Sequence, residues 1–293
     1  MKLARLFRTI FKQENTSLMK TIINFCPTGM IPRKSMTKYV PISVQEIIEQ
    51  THEANEIGIS IVHLHARLEN EAPTYKPEIY QQIFEGIRKH CPKLVICAST
   101  SGRDFPEIEK RSAVIELRPD MCSLTLSSLN FIKTASVNSP ETIQNLFKKM
   151  NEFGVHPEFE CFDLGMVNYG KYLLKKYNYD QPTYWNIIFG NIAGIQPSLQ
   201  NIGNIVNEIP NKGMISLGGI GDTQLKTIST AIAHDFGVRI GLEDNIWYDK
   251  NRTKLATNND LLHRVHSLMQ IHEKDLMPSE ELNLYNASPC LVH

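Results

Sequence analysis

From residue 20 onward, short apolar runs alternate with segments that repeat apolar residues at helical spacing. The short runs favour β-strands and the periodic segments favour amphipathic helices. The predicted strands are 21–26, 59–65, 94–98, 121–126, 159–162, 184–189, 214–217 and 238–241. The predicted helices are 43–57, 77–90, 104–113, 140–153, 166–177, 199–209, 222–235 and 258–271. Ser43 and Asn258 are suited to cap two of these helices.

Eight strand–helix units with short connections predict an α/β fold with a parallel sheet. Eight such units close into a (β/α)8 TIM barrel, which needs about 250 residues and therefore fits a chain of 293. The alternative, an open doubly wound sheet, usually has fewer strands, and no Gly-x-Gly-x-x-Gly motif follows the first strand. We expect residues 20–293 to form one TIM-barrel catalytic domain, with the basic residues 1–19 as an N-terminal appendage.

Composition excludes some classes of partner. The 31 basic and 31 acidic side chains balance, so no general nucleic-acid or membrane surface is expected. The sequence contains no run of about 18 apolar residues that would span a membrane. The six cysteines are scattered without a Cys-x-x-Cys pair, which favours reduced thiols and a cytoplasmic protein.

The end of the second predicted strand carries the pair His63 and His65. Alternate residues of a strand point to the same face, so both imidazoles are expected to face one point. Two convergent neutral imidazoles are half of a zinc or transition-metal site. A pair of hydrogen-bonded histidines without a metal is the alternative.

A group of charged residues at the end of the eighth strand faces this pair. In a barrel, strand eight is separated from strand two only by strand one, so Glu243 is expected to approach both histidines. Two histidines and one carboxylate leave a position open on a metal, which is the pattern of a catalytic site. Arg239 and Asp244 lie beside Glu243 in the chain, and Asp244 is either a general base or a partner that orients Arg239.

Other polar residues follow the predicted strands. The hydroxyls of Ser99 and Ser123 are candidate substrate donors, or they satisfy backbone groups at the strand ends. The glycine-rich segment 218–221 follows strand seven, where it either binds phosphate or forms a tight turn. Three acids near strand five cannot be given separate roles, although some are expected to hold the barrel floor or the second nitrogens of the histidines: Glu158, Glu160 and Asp163.

Eight segments, in this order, resemble the β-keto acid cleavage enzyme family over about residues 20–280. They are Pro27-Thr28-Gly29, Pro41-Ile42-Ser43, His63-Leu64-His65-Ala66-Arg67, Ser99-Thr100, Leu129-Asn130-Phe131, Pro157-Glu158, Gly165-Met166-Val167 and Gly241-Leu242-Glu243-Asp244-Asn245. The resemblance implies a zinc-bearing TIM barrel that forms a homotetramer. It also implies an acyltransferase that converts a β-keto acid and acetyl-CoA into acetoacetate and a new acyl-CoA.

The resemblance also implies roles for single residues. His63, His65 and Glu243 would be the Zn²⁺ ligands, while Asp244 would be the general base with Arg239 as its partner. Three residues would line the substrate site: Ser99, Gly102 and Ser123. A metal-dependent lyase or hydrolase that does not use CoA, and a metal-stabilised binding protein without activity, are the alternative functions.

One position departs from the family members that act on a 5-amino keto acid. In those members a glutamate two residues after the Thr-Gly pair holds the substrate ammonium, whereas this chain has Ile31. An apolar side chain cannot pair with a buried cation, so the 5-amino substrate is not expected. Arg33 is either a residue that favours an anionic substrate tail or a solvated loop residue.

Overall fold

Residues 20–284, described by a computed structural model, contain a closed barrel of eight parallel strands. The barrel strands are β1 (Ile23–Phe25), β2 (Ile61–Leu64), β3 (Val95–Ala98), β4 (Met121–Thr125), β5 (His156–Cys161), β6 (Thr183–Phe189), β7 (Gly213–Gly219) and β8 (Gly237–Ile240). Each strand pairs with the next, and β8 pairs with β1, which closes the barrel. The predicted TIM barrel is therefore confirmed.

One helix follows each barrel strand. The helices are α1 (Val44–Ile57), α2 (Pro77–His90), α3 (Ile108–Ser112), α4 (Pro140–Phe153), α5 (Leu164–Lys176), α6 (Leu199–Asn207), α7 (Thr223–Ala233) and α8 (Asn258–Ile271). No helix among residues 20–284 is both long and apolar enough to cross a membrane. The predicted appendage 1–19 and the end of the predicted domain, 285–293, lie outside the described residues.

One of the two predicted helix caps is confirmed and the other is wrong. Ser43 caps α1, where its hydroxyl accepts from the backbone N–H of Glu46. The Asn258 cap is wrong, because Thr257 holds that position on α8. Thr257 has the extended backbone that a cap requires, and Asp260 three residues later completes a reciprocal capping box.

Several short pieces of structure differ from the predicted elements. A two-stranded hairpin pairs 129–130 with 135–136 between β4 and α4, and Lys20–Thr21 pairs with Asp275–Leu276. The segment 113–117 continues α3 as a 3-10 helix. Strands of two residues are too short to show an alternation of apolar and polar positions, so the sequence gives no signal for them.

The alternation of side chains along the strands places the histidines inside the barrel. On β2, Val62 and Leu64 pack in the large core between strands and helices, whereas Ile61 belongs to a second apolar cluster. His63 shares the face of Ile61, because residues two apart on a strand point the same way. Leu282 and Leu284 join the Ile61 cluster, so the C-terminal segment packs against the lower end of the barrel. The opposite end, where the strands finish, carries the polar residues.

Candidate active site

The side chains of His63, His65 and Glu243 converge above the ends of β2 and β8. The Nε2 atoms of the two histidines are 3.3 Å apart, and Nε2 of His65 is 3.2 Å from Oε1 of Glu243. One ligand atom from each residue lies within 4.8 Å of the other two. The structure therefore brings together the three residues that the sequence assigned to a metal.

A divalent cation fits this group of ligands. At metal–ligand distances of about 2.0–2.1 Å, two ligands of a tetrahedral ion lie about 3.3 Å apart, close to the two separations above. Oε2 of Glu243 is buried and has no hydrogen-bond partner among the described residues. A buried carboxylate oxygen without a donor is costly, and a bound cation would remove this cost. With three protein ligands the ion would keep an open position.

Glu158 orients His63 from below. Its Oε2 lies 2.7 Å from Nδ1 of His63, and its Oε1 accepts from Nδ2 of Asn24 at 2.8 Å and Nδ2 of Asn186 at 2.9 Å. A carboxylate on Nδ1 favours the tautomer that leaves the Nε2 lone pair free for a metal. Glu158 is therefore the acid that holds a second imidazole nitrogen, and Asp163 caps α5 instead.

The charges around the histidines shift their pKa values in opposite directions. Burial disfavours the charged form of His63, but the carboxylates of Glu158 and Glu243 outweigh burial and raise the pKa of His63 to about 9. For His65, burial outweighs the attraction of Glu243, so its pKa is lowered. Burial would raise the pKa of Glu243, but Arg239 and the imidazoles hold it well below its usual range. The raised pKa of His63 reflects the two carboxylates beside it, which would also attract a bound cation.

Arg239 on β8 connects Glu243 with Asp244. Its Nε donates to Oδ2 of Asp244 at 2.8 Å, and its Nη2 lies 2.8 Å from Oε1 of Glu243 and 3.3 Å from Oδ1 of Asp244. Burial raises the pKa of Asp244 even though Arg239 opposes this shift. Gly218 on β7 makes room for the arginine, because a Cβ there would lie 2.9 Å from Cβ of Arg239. Gly221 donates its N–H to the Asp244 carbonyl, which supports the turn interpretation of 218–221.

The loop after β1 covers the ligands. Gly29 has a positive φ of 65°, and a Cβ there would lie 2.5 Å from Cγ of Glu243. Arg67 fixes this loop, because its Nη1 donates to the Gly29 carbonyl at 2.5 Å and its Nη2 to the Pro32 carbonyl at 2.6 Å. The Thr-Gly motif and the His-x-His-x-Arg motif are therefore joined by a hydrogen bond between Arg67 and Gly29.

A cavity opens beside the ligands. The polar residues that line it include His65, Ser99, Glu160, Glu243 and Asp244. Thr125 and Arg103 also line it, and neither of them was a predicted site residue. Thr125 is the last residue of β4, whereas Arg103 lies in the loop after β3, so the direction of Arg103 into the cavity depends on how that loop packs.

Gly102 and Ser123 do not line this cavity. Ser123 is buried, and its hydroxyl accepts from the backbone N–H of Thr100 at 3.1 Å. Gly102 lies against the guanidinium of Arg111. The structure thus gives the Ser123 hydroxyl the backbone role that was its alternative, while the predicted substrate contacts of both residues stay predictions.

Ile31 lines the cavity and is 54% exposed, so the position where the resemblance implies an acid in the 5-amino keto acid enzymes faces the cavity here. Arg33 is a half-buried loop residue, and its predicted preference for an anionic substrate tail stays a prediction. Its Nη1 donates to the carbonyl oxygens of Met30 at 2.7 Å and Ile31 at 3.0 Å, which holds the loop together.

Comparisons with known proteins identify the family of this chain. The family model of the beta-keto acid cleavage enzyme matches residues 20–283. A 3-oxoadipate:acetyl-CoA acetyltransferase from Cupriavidus necator is 32% identical over 85% of this chain and 88% of its own length. A 3-keto-5-aminohexanoate cleavage enzyme from Acetoanaerobium sticklandii is 30% identical over 84% of this chain and 90% of its own length.

Among solved structures, the apo structure of ObcA has a TM-score of 0.69 with 18% identity over 83% of this chain. This chain spans 64% of the ObcA chain, so the likeness concerns the fold alone. The match of the family model over nearly the whole described chain, together with the two curated relatives, shows that the protein is an enzyme that belongs to the β-keto acid cleavage enzyme family.

Proposed function

We propose that the protein transfers an acyl group from a β-keto acid to CoA with acetyl-CoA as co-substrate, and that it releases acetoacetate. The observation that carries this proposal is the convergence of two imidazoles and a carboxylate beside Asp244 at one cavity. Carbon–carbon bond formation and cleavage next to a carbonyl need a base and a group that stabilises enolate charge. The relatives named above act with acetyl-CoA or cleave a keto acid, which supports the same reaction here.

We further propose that the metal is Zn²⁺, held by His63, His65 and Glu243. These nitrogen and oxygen ligands, with one position open, are the donor set of catalytic zinc sites. When bound, the ion would stabilise negative charge on the keto oxygen of the substrate. Glu158 keeps His63 in the tautomer that this binding requires.

Asp244 is proposed as the base that removes a proton from C2 of the β-keto acid. Its carboxylate faces the cavity, and Arg239 holds both of its oxygens so that it presents a constant geometry. Ser99 lines the same cavity and is proposed to donate a hydrogen bond to the substrate carboxylate, alongside the predicted contacts of Gly102 and Ser123. The chain thus supplies the base, its positioning group and a hydroxyl donor.

The overall reaction is R–CO–CH2–COO⁻ plus acetyl-CoA giving acetoacetate plus R–CO–CoA. After Asp244 takes the C2 proton, C2 forms a bond to the acetyl carbonyl carbon and the CoA thiolate leaves. The thiolate then attacks the original keto carbon, the bond between that carbon and C2 breaks, and Asp244 returns the proton to C2. All carbons of the acetyl group therefore finish in acetoacetate.

The test is to incubate the zinc-loaded protein with a panel of β-keto acids and acetyl-CoA labelled with ¹³C in both acetyl carbons. We expect doubly labelled acetoacetate and an unlabelled new acyl-CoA, detected by mass spectrometry. An Asp244→Asn variant is the control for chemistry that does not involve the base. Keto acid consumption with unlabelled products and no new acyl-CoA would instead show a CoA-independent lyase or hydrolase and refute the proposal.

The homotetramer and the cytoplasmic location remain predictions from the resemblance and the cysteines. Five cysteines are buried and free among the described residues: Cys26, Cys91, Cys97, Cys122 and Cys161. Their burial agrees with the predicted reduced state. Size-exclusion chromatography with light scattering would measure the number of subunits directly.

A further inference from the structure

Arg103 presents a cation to the cavity and has no anionic partner in the described part of the chain. Its guanidinium carbon lies 3.6 Å from the centroid of the Phe131 ring, and its Nε is buried with no hydrogen-bond acceptor. Among residues 20–284, no carboxylate lies within 4 Å of this guanidinium. Burial lowers the pKa of Arg103, and the carboxylates of Glu243, Asp104 and Glu160 offset this only in part. The side chain still carries its charge at neutral pH.

The other arginines near the cavity are already engaged. Arg239 donates to Asp244 and pairs with Glu243, while Arg67 and Arg33 donate to loop carbonyls. A buried donor without an acceptor is costly, and the guanidinium fork suits a carboxylate, which it binds through two parallel hydrogen bonds. The unpaired cation of this cavity therefore favours a ligand that brings its own anionic group.

The residues around Arg103 indicate which kind of ligand segment would join the anionic group of the ligand to its reacting atoms. Leu129, Phe131, Phe162 and Ile188 line the same cavity and provide apolar walls. Ile31 adds a further apolar side chain where an acid would attract an ammonium instead. An aliphatic segment suits these walls, while the metal ligands and Asp244 lie in the polar part of the cavity.

We propose that Arg103 binds a second carboxylate at the far end of the β-keto acid, so that the substrate is a keto diacid with a short aliphatic tail. This proposal rests on the proposed function, because it assigns the tail of that reaction's substrate. Arg103 is a specificity-determining residue in this scheme and takes no part in moving protons. The stacked ring of Phe131 keeps the guanidinium plane fixed for a planar partner.

The experiment compares a keto diacid with its neutral counterpart, in which a methyl group replaces the distal carboxylate. The zinc-loaded protein is assayed with acetyl-CoA for kcat/KM on both compounds, as wild type and as Arg103→Gln, Arg103→Lys and Arg103→Glu. Arg264→Gln is the matched control, since Arg264 also stacks on an aromatic ring, Tyr248 at 3.7 Å, but does not line the cavity. Melting temperature and zinc content show whether each variant is folded.

We expect the wild type and Arg264→Gln to prefer the diacid by about 100-fold or more, because a buried unpaired guanidinium penalises the neutral compound. Arg103→Gln should reduce this preference to within about threefold by lowering kcat/KM for the diacid, with the KM for acetyl-CoA unchanged. Arg103→Lys should restore part of it. Arg103→Glu should prefer a compound with an amino group in place of the distal carboxylate.

Equal kcat/KM for the diacid and the neutral compound in the wild type would overturn the proposal while leaving the acyl transfer intact. A loss in Arg103→Gln that is the same for both compounds would also overturn it, since Arg103 would then bind the carboxylate that all β-keto acids share. A rise in the KM for acetyl-CoA alone would assign Arg103 to the CoA phosphates. Absence of acetoacetate with every compound would refute the proposed function itself.

Discussion

Replacing Glu158 by glutamine is expected to weaken metal binding about 10–100-fold without touching a metal ligand. Glu158 accepts on both oxygens, with Asn24 and Asn186 at Oε1 and His63 and Cys97 at Oε2. An amide has one oxygen, so it must present its NH2 either to the two asparagine donors or to His63. If the NH2 faces the two asparagines, donors meet donors and no hydrogen bond forms. If the NH2 faces His63, it donates to Nδ1 and favours the tautomer whose Nε2 carries a proton and cannot bind a metal.

The same geometry sets the cost to folding. The Glu158 and His63 side chains are almost fully buried, and removing one charge of such a pair costs about 3–5 kcal/mol when the other charge remains. His63 can become neutral, so we expect a loss of about 2–3 kcal/mol in the metal-free protein. Urea unfolding of the metal-free variant measures this loss, and zinc competition with a chromophoric chelator measures the affinity.

Glu208→Gln is the control, because Glu208 forms an exposed ion pair with Lys171 far from the ligands in sequence. Such a pair contributes less than about 1 kcal/mol, so this variant should keep both stability and affinity. A Glu158→Gln variant that binds zinc within twofold of the wild type would refute the reasoning, since the orientation of His63 would then not depend on the carboxylate.

Three further predictions concern the ligands, the loop and a helix cap. His65→Ala should no longer bind zinc at full stoichiometry, as measured by elemental analysis. Asp244→Asn should keep its zinc, and its kcat should fall about 10²–10⁴-fold. Zinc at full stoichiometry in His65→Ala would contradict the ligand assignment. Gly29→Ala should cost about 1–3 kcal/mol in urea unfolding and reduce activity, because its Cβ would meet Glu243 and its φ is positive; unchanged stability and activity would contradict this. Burial would raise the pKa of Glu46, but Lys34 and two backbone N–H groups outweigh burial and lower this pKa. The Glu46 carboxylate therefore stabilises the fold at pH values above its pKa in the unfolded chain. This stability is lost as the pH falls through the pKa of Glu46 in the folded protein. Glu46→Gln should therefore cost about 0.5–1 kcal/mol at pH 7 and little at pH 3; a cost equal at both pH values would contradict the role of the charge.

Several parts of the fold were predictable because their signals are local. The bounds of α2, α4 and α8 match the predicted helices to the residue, since apolar spacing and turn residues at the ends define them. The barrel followed from counting strand–helix units, because short connections force neighbouring strands to be parallel and adjacent. The neighbour relation of β8, β1 and β2 then brought Glu243 to the two histidines.

The sequence predicted less well the roles that depend on where a side chain points. Glu158 and Glu160 lie two apart on β5 and share a face, yet one holds His63 while the other lines the cavity. Their different heights along the barrel axis decide this, and the heights follow from the stagger of eight strands. Ser123 was a candidate substrate donor, and only the structure shows that its hydroxyl accepts from the backbone N–H of Thr100, while its substrate contact stays a prediction.

The sequence by itself determined the fold class, the bounds of three helices and the three residues that converge as candidate metal ligands. These depend on periodicity and on the order of elements, which a linear chain carries in full. Only the tertiary structure decided which acid orients His63, which hydroxyls reach the cavity and that Arg103 faces it without a carboxylate partner among residues 20–284. These depend on strand stagger and loop packing, which arise from contacts between residues far apart in the chain.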